Sequence, residues 1–157
     1  MSRIRRTPPT ITAQVRHAET RLSVDTTGEG FTNLTGEAAA FLAQIEAGDG
    51  LLTVFCRHTS ASLTIQENAD PDVRTDLISA LRVLAPRDFG WVHDTEGPDD
   101  MRAHVRTLLS DTSLSVPVGG GRALLGTWQG IYLIEHRARP HRREIVLAFT
   151  GTIGHFA

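Results

Sequence analysis

The spacing of apolar positions along this 157-residue chain changes several times, and each change predicts an element. Ile11, Ala13, Val15, Leu22 and Val24 alternate in part, which predicts one or two strands between Ile11 and Val24. Gly28-Glu29-Gly30-Phe31 marks a turn. Ala38, Phe41, Leu42 and Ile45 recur at i, i+3, i+4 and i+7, the stripe of an amphipathic helix. Thr35 is its expected N-cap, Glu37 suits the first turn, and Gly48-Asp49-Gly50 ends it. Leu51 to Cys56 is apolar nearly throughout, the pattern of a strand covered on both faces.

A polar stretch, RHTSASLTIQENADP, follows from Arg57 to Pro71 and carries a strand at about 62–66. Asp70 before Pro71 pairs an N-cap carboxylate with a residue preset for the first helical position. The helix that follows is expected to bury Val73, Leu77, Leu81 and Leu84 and to stop at Ala85-Pro86. Residues 86–98 form a long polar loop, and loops of that length tend to be functional. A third helix, about 99–109, should bury Met101, Val105 and Leu108, with His104 on or beside the same face. Leu114, Val116 and Val118 alternate before Gly119-Gly120-Gly121, which joins strand to strand and reads as a hairpin turn rather than a phosphate loop. Trp128 to Glu135 and Ile145 to Thr150 are further strands. Strands joined partly by hairpins, with about three helices, predict an α+β fold, a mainly antiparallel two-sheet sandwich. One domain is expected over 11–157, after a flexible tail at 1–10.

Composition narrows the chemistry. With 40% apolar and 22% charged residues and a net charge of −2, the chain can bury a core and is not built to coat nucleic acid. All sixteen cationic side chains are Arg. Without Lys there is no Schiff-base or P-loop lysine, so any phosphate must be held by Arg or His. One cysteine, Cys56, forms no internal disulfide; the basic N-terminal stretch lacks the apolar run expected of a signal peptide, and no apolar run reaches membrane length. A cytoplasmic protein, binding neither membrane nor nucleic acid, is the expectation.

His58, His93 and His104 stand out among seven histidines. They come from separate segments, as the ligands of a catalytic zinc often do. No HxH, HExxH or CxxC spacing supports the grouping, and the competing reading gives each imidazole its own backbone or carboxylate partner. His17, His136, His141 and His155 lie in polar or terminal surroundings and are expected to be solvated. Arg57, His58, Thr59, Ser60 and Ser62 offer donors for an anion or, equally, caps for a polar turn. Cys56 and His58 share a strand face, but a thiol ending an apolar run behaves as a small hydrophobe. Glu67 and Glu135 are carboxylates in partly apolar settings that need an Arg, His or metal partner, with Arg137 at hand for Glu135. Trp128 and Gln129 could wall a small-molecule pocket, although Trp128 serves as well in a core.

Three blocks, HTSASLTIQENADPDVRTDL, WVHDTEGPDDMRAHVRTLL and SLSVPVGGGRALLGTWQGIYLIEHR, agree in order and spacing with one family. Over about 50–151 the chain resembles the YjbQ-like family, whose members are named secondary thiamine-phosphate synthase enzymes. The resemblance implies two packed, mainly antiparallel sheets and a homotrimer with sites near subunit boundaries. It places His58, His93 and His104 on the family's histidine positions and Glu67 and Asn68 in its ENADP segment. Trp128, Gln129 and Glu135 fall on its GTWQ-to-Glu strand. His58, Glu67 and His104 thereby become catalytic candidates, and Thr59, Ser60, Asn68, Trp128 and Gln129 substrate-binding candidates. His58, His93, His104 and Glu135 become candidate ligands of a divalent metal, Zn or Mg. HRARPHRRE after Glu135 lacks a glycine that the resemblance calls for, so Arg139 and Arg142 receive no role from it. The implied function is a secondary thiamine-phosphate synthase activity on a small phosphorylated or anionic substrate. The alternative is a non-catalytic homotrimer that binds an anionic metabolite.

Overall fold

The computed structural model describes residues 14–154. The expected tail at 1–10, the strand positions Ile11 and Ala13, and His155 lie outside the described residues. In chain order the elements are β1 (Arg16–Asp25), β2 (Gly30–Asn33), α1 (Thr35–Gln44), β3 (Ala47–Cys56), β4 (Ala61–Glu67) and α2 (Pro71–Leu84). They continue with α3 (Asp100–Leu109), β5 (Ser113–Gly119), β6 (Arg122–Ala123), β7 (Gln129–Glu135) and β8 (Arg142–Ile153). Two antiparallel sheets result, one ordered β1-β8-β3-β5-β6 and one ordered β2-β7-β4. The α+β, two-sheet, three-helix architecture is the one read from the sequence.

The core lies between the sheets. Leu52, Val54, Leu114, Val116, Ile145, Leu147 and Phe149 face Leu63, Ile131 and Leu133, while Phe41 and Leu42 of α1 join the same cluster. Alternation along each strand sends one set of side chains to this core and the other outward. β3 follows that rule, so the expectation of a strand covered on both faces is corrected: Leu51 and Phe55 are exposed on the outer sheet face. Gly48-Asp49-Gly50 does not precede the strand but lies inside β3, at a register shift against β8. Gly50 and Gly151 pair there so closely that a Cβ on either would collide with the other strand's backbone. β5 and β6 turn through Gly120 and Gly121, both at positive φ, as a tight hairpin requires.

The helices differ from expectation at their edges. Asp70 caps α2 by accepting from the Asp72 amide at 2.9 Å, and Pro71 is the first helical residue. By contrast, Thr35 does not cap α1: it is the first helical residue, and its own amide donates to Asn33 Oδ1 at 2.9 Å. The Thr35 hydroxyl is taken by the Ile131 amide of β7. No residue of α2 is fully buried and Leu84 is exposed, because this helix rests against the short edge strand β2 rather than over the core. In α3 the fully buried residues are Asp100, Ala103 and Arg106, Met101 and Val105 are half-buried, and Leu108 is 83% exposed. The inward side is polar because Arg106 reaches Glu29 and the Leu81 carbonyl beneath it.

Candidate functional site

Asp100 and His104 are four residues apart on α3 and therefore share a face. The loop before the helix brings His93 to the same place. Asp100 Oδ2 lies 2.8 Å from His93 Nε2 and 3.1 Å from His104 Nε2. These three ligand atoms fall within 4.8 Å of one another. Arg137 donates to the other carboxylate oxygen, Oδ1, and to the Glu96 carbonyl at 2.7 Å. Burial alone would raise the Asp100 pKa. The hydrogen bond from His93 and the charges of Arg137 and His104 outweigh it and hold the carboxyl below its usual range.

His104 Nδ1 lies 2.8 Å from the Thr59 carbonyl. A carbonyl only accepts, so Nδ1 carries a proton. Nε2 therefore presents its lone pair to Asp100 Oδ2 unless a proton or a cation lies between them. An imidazole oriented through Nδ1–H by a backbone carbonyl, with Nε2 beside a carboxylate, is the usual outer support of a metal-binding histidine. Two imidazole nitrogens and one carboxylate oxygen fit a divalent cation, and this donor set favours Zn over Mg, which prefers oxygen.

His58 and Glu135 are not in that cluster. His58 Nε2 accepts from the Glu144 amide at 2.7 Å, and burial followed by the Arg143 charge lowers its pKa. Glu135, at the end of β7, points into the gap between the sheets. Its two oxygens accept from Arg143 Nε at 2.7 Å, Arg143 Nη2 at 2.5 Å, the Thr26 hydroxyl at 2.8 Å and the Arg137 amide at 2.9 Å. Those four bonds occupy the carboxylate's acceptor sites and offset its burial, so its pKa is lowered. Arg143 also donates to the Ser60 carbonyl at 3.3 Å. Thr59 and Ser60 thus serve this region through their backbone. Cys56 is buried, with its thiol pKa raised by desolvation and its Sγ directed to the Ala61 carbonyl.

The remaining candidates gather at the opposite end of β4. Seven strand residues separate Thr59 and Ser60 from Asn68, a span of roughly 20 Å. Glu67 Oε1 accepts from the Asp70 amide at 3.2 Å. Asn68 donates to the carbonyls of Thr127 and Gln129, and Gln129 Oε1 accepts from the Gly126 amide. Trp128 is 64% exposed and belongs to no core. Asn68 and Gln129, with Thr35, Leu125 and Ile131, border a cavity of about 410 Å³.

The family model described as UPF0047 protein YjbQ-like matches residues 20–152. The chain belongs to this family. A UPF0047 protein of Synechocystis is 46% identical over 90% of this chain and 97% of its own. The YjbQ of Escherichia coli O157:H7 is 40% identical over 83% and 95%. A Thermus thermophilus structure, called a conserved hypothetical protein, is 38% identical with a TM-score of 0.72 over 81% of this chain and 97% of its own. A Sulfolobus solfataricus structure, called a YbjQ-like protein of unknown function, has a TM-score of 0.83 over 88% of this chain and 100% of its own; at 18% identity it speaks to the fold alone.

In this YjbQ-like chain several functional-looking groups escaped the sequence reading. Asp100 was visible as an acid, but nothing in its spacing showed that it would gather two imidazoles. His136, expected to be solvated, is fully buried. It continues the outward-alternating face of β7 after Tyr132 and Ile134, under α3. Its Nε2 lies 2.7 Å from Ser62 Oγ, which lies 2.7 Å from Ser110 Oγ, itself 2.7 Å from the Arg106 carbonyl. Ser110 is the donor at the far end of this buried chain, its hydroxyl within reach of both Ser62 Oγ and the Arg106 carbonyl. Glu29 accepts from Arg82, Arg102 and Arg106, one carboxylate facing three guanidinium groups.

Proposed function

We propose that the chain is a small-molecule enzyme in which His93, Asp100 and His104 hold a divalent cation, Zn by preference, beside a phosphorylated or anionic substrate. The observation that carries this reading is the meeting of His93 Nε2, Asp100 Oδ2 and His104 Nε2 within 4.8 Å, with His104 oriented through Nδ1 by the Thr59 carbonyl. A cation there would act as a Lewis acid for negative charge on a substrate oxygen. Thiamine-phosphate formation, the secondary activity implied by the resemblance, joins a pyrimidine diphosphate to a thiazole phosphate and releases pyrophosphate. Thr59 touches the cluster through its carbonyl, and it, His58 and Ser60 remain proposed contacts. Glu67, Asn68, Trp128 and Gln129 form the proposed far wall. The reading takes 11–157 as one domain, working in the cytoplasm as a homotrimer. The open outer face of β3, with Leu51 and Phe55 exposed, favours self-association.

Metal analysis of purified protein tests the reading. About one Zn per wild-type chain and little in His104→Ala is expected, with His104→Ala failing to complement a thiamine auxotroph that the wild type rescues. Metal-free wild type, together with full complementation by His104→Ala, would sink it.

A further inference from the structure

Behind the histidine cluster, on the other side of Arg137, lies a cavity of about 480 Å³ whose wall includes Arg87, Arg102 and Arg139. That volume suits a small ligand. Asp99 is the acid in this wall, and it is already committed. It accepts from the Ala138 amide at 2.7 Å and lies 3.3 Å from Arg137 Nε. Burial would raise its pKa, yet the Ala138 amide and Arg137 hold it low, so it stays a paired carboxylate. Among the described residues no carboxylate pairs with Arg87 or Arg139. Arg102 shares Glu29 with two other arginines, and its Nε is buried without a partner.

Local backbone geometry keeps these cations together. Gly97, at φ +107°, lets the loop pass beneath two guanidinium groups: Arg137 Nη2 and Arg139 Nη2 stand 3.7 and 4.0 Å from the point its Cβ would occupy. Because Asp99 is turned to Ala138, no side chain caps α3. The Asp100 and Ala103 amides donate to the carbonyls of Gly97 and Asp99, which leaves the first-turn amides of Met101 and Arg102 for another acceptor, and Asp99 and Arg102 belong to the cavity wall. Like charges crowded in a concave site, beside uncapped helix amides, are relieved by a dianion. Guanidinium forks match phosphate oxygens best.

We propose that this arginine-lined cavity binds the phosphoryl group of the substrate, with Arg87, Arg102 and Arg139 as its side-chain ligands. The identity of the ligand as a substrate rests on the function proposed above; the anion site itself rests on the cavity. The test is calorimetric titration of the full chain with inorganic phosphate and with pyrophosphate, in low salt and with EDTA present. Binding by wild type is expected, with an affinity at least tenfold weaker in the Arg87→Ala/Arg139→Ala double variant. Both side chains are exposed and unpaired, so that variant should keep the wild-type melting temperature in phosphate-free buffer. His104→Ala should bind phosphate like wild type, which separates this site from the proposed metal. Absence of binding by wild type, undiminished binding by the double variant, or loss of binding in His104→Ala would each overturn the proposal.

Discussion

His136 shows how one residue can carry a measurable signature. Burial, with Arg106 the next contributor and Glu135 opposing, lowers its pKa to about 4. An unfolded histidine titrates near ~6.5. The folded chain therefore refuses a proton that the unfolded chain accepts, and stability falls as pH drops from about 6.5 towards 4. Between pH 6.5 and 5 the loss is on the order of 2 kcal/mol. In that window the lowered carboxyls of Asp100 and Glu135 contribute little, and His58, also held low, adds a loss that wild type and a His136 variant share. Urea unfolding should show the loss in wild type and a flatter profile in His136→Gln, whose amide can donate to or accept from Ser62. Equal slopes in the two proteins would show that His136 takes up its proton without cost to the fold.

At the scale of elements, the sequence was most legible where a local rule decides. Asp70-Pro71 named the start of α2, and Asp70→Ala should cost about 1 kcal/mol, read as a lower urea midpoint at unchanged slope. An unaltered midpoint would mean that the amide finds another acceptor. The alternation in β5, the glycine hairpin and the apolar β7 were equally plain. Legibility failed where distant partners decide. Thr35 looked like a cap because nothing local reveals that β7 claims its hydroxyl. Met101 and Val105 are half-buried as their spacing suggests, but Leu108 of the same stripe is exposed, and Glu29, 77 residues before Arg106, decides which side that guanidinium turns to. The site divided in the same way. Its histidines could be named from the chain, whereas Asp100 as their common partner, and Glu135 bound to Arg143, are products of tertiary geometry.

For the whole molecule, the two groups of candidate residues stand at opposite ends of the β4–β7 pair. A small substrate does not span them within one protomer. If both ends serve one reaction, they do so from different copies, as the proposed trimer allows. Sedimentation at micromolar concentration should return three times the chain mass, and a monomer would contradict it. Substituting Phe55, exposed on the outer sheet face, by Glu should weaken that assembly if this face is the contact.

The turn between β3 and β4 holds both His104 and Arg143 through the carbonyls of Thr59 and Ser60. Carbonyls are common to every residue type. What this turn contributes to the two ion clusters is thus encoded in the path of the chain, separately from any contact the Thr59 and Ser60 hydroxyls make with a substrate. Insertion or deletion of a single residue there would separate both clusters from their anchors at once, so for the clusters the length of the turn is the constraint.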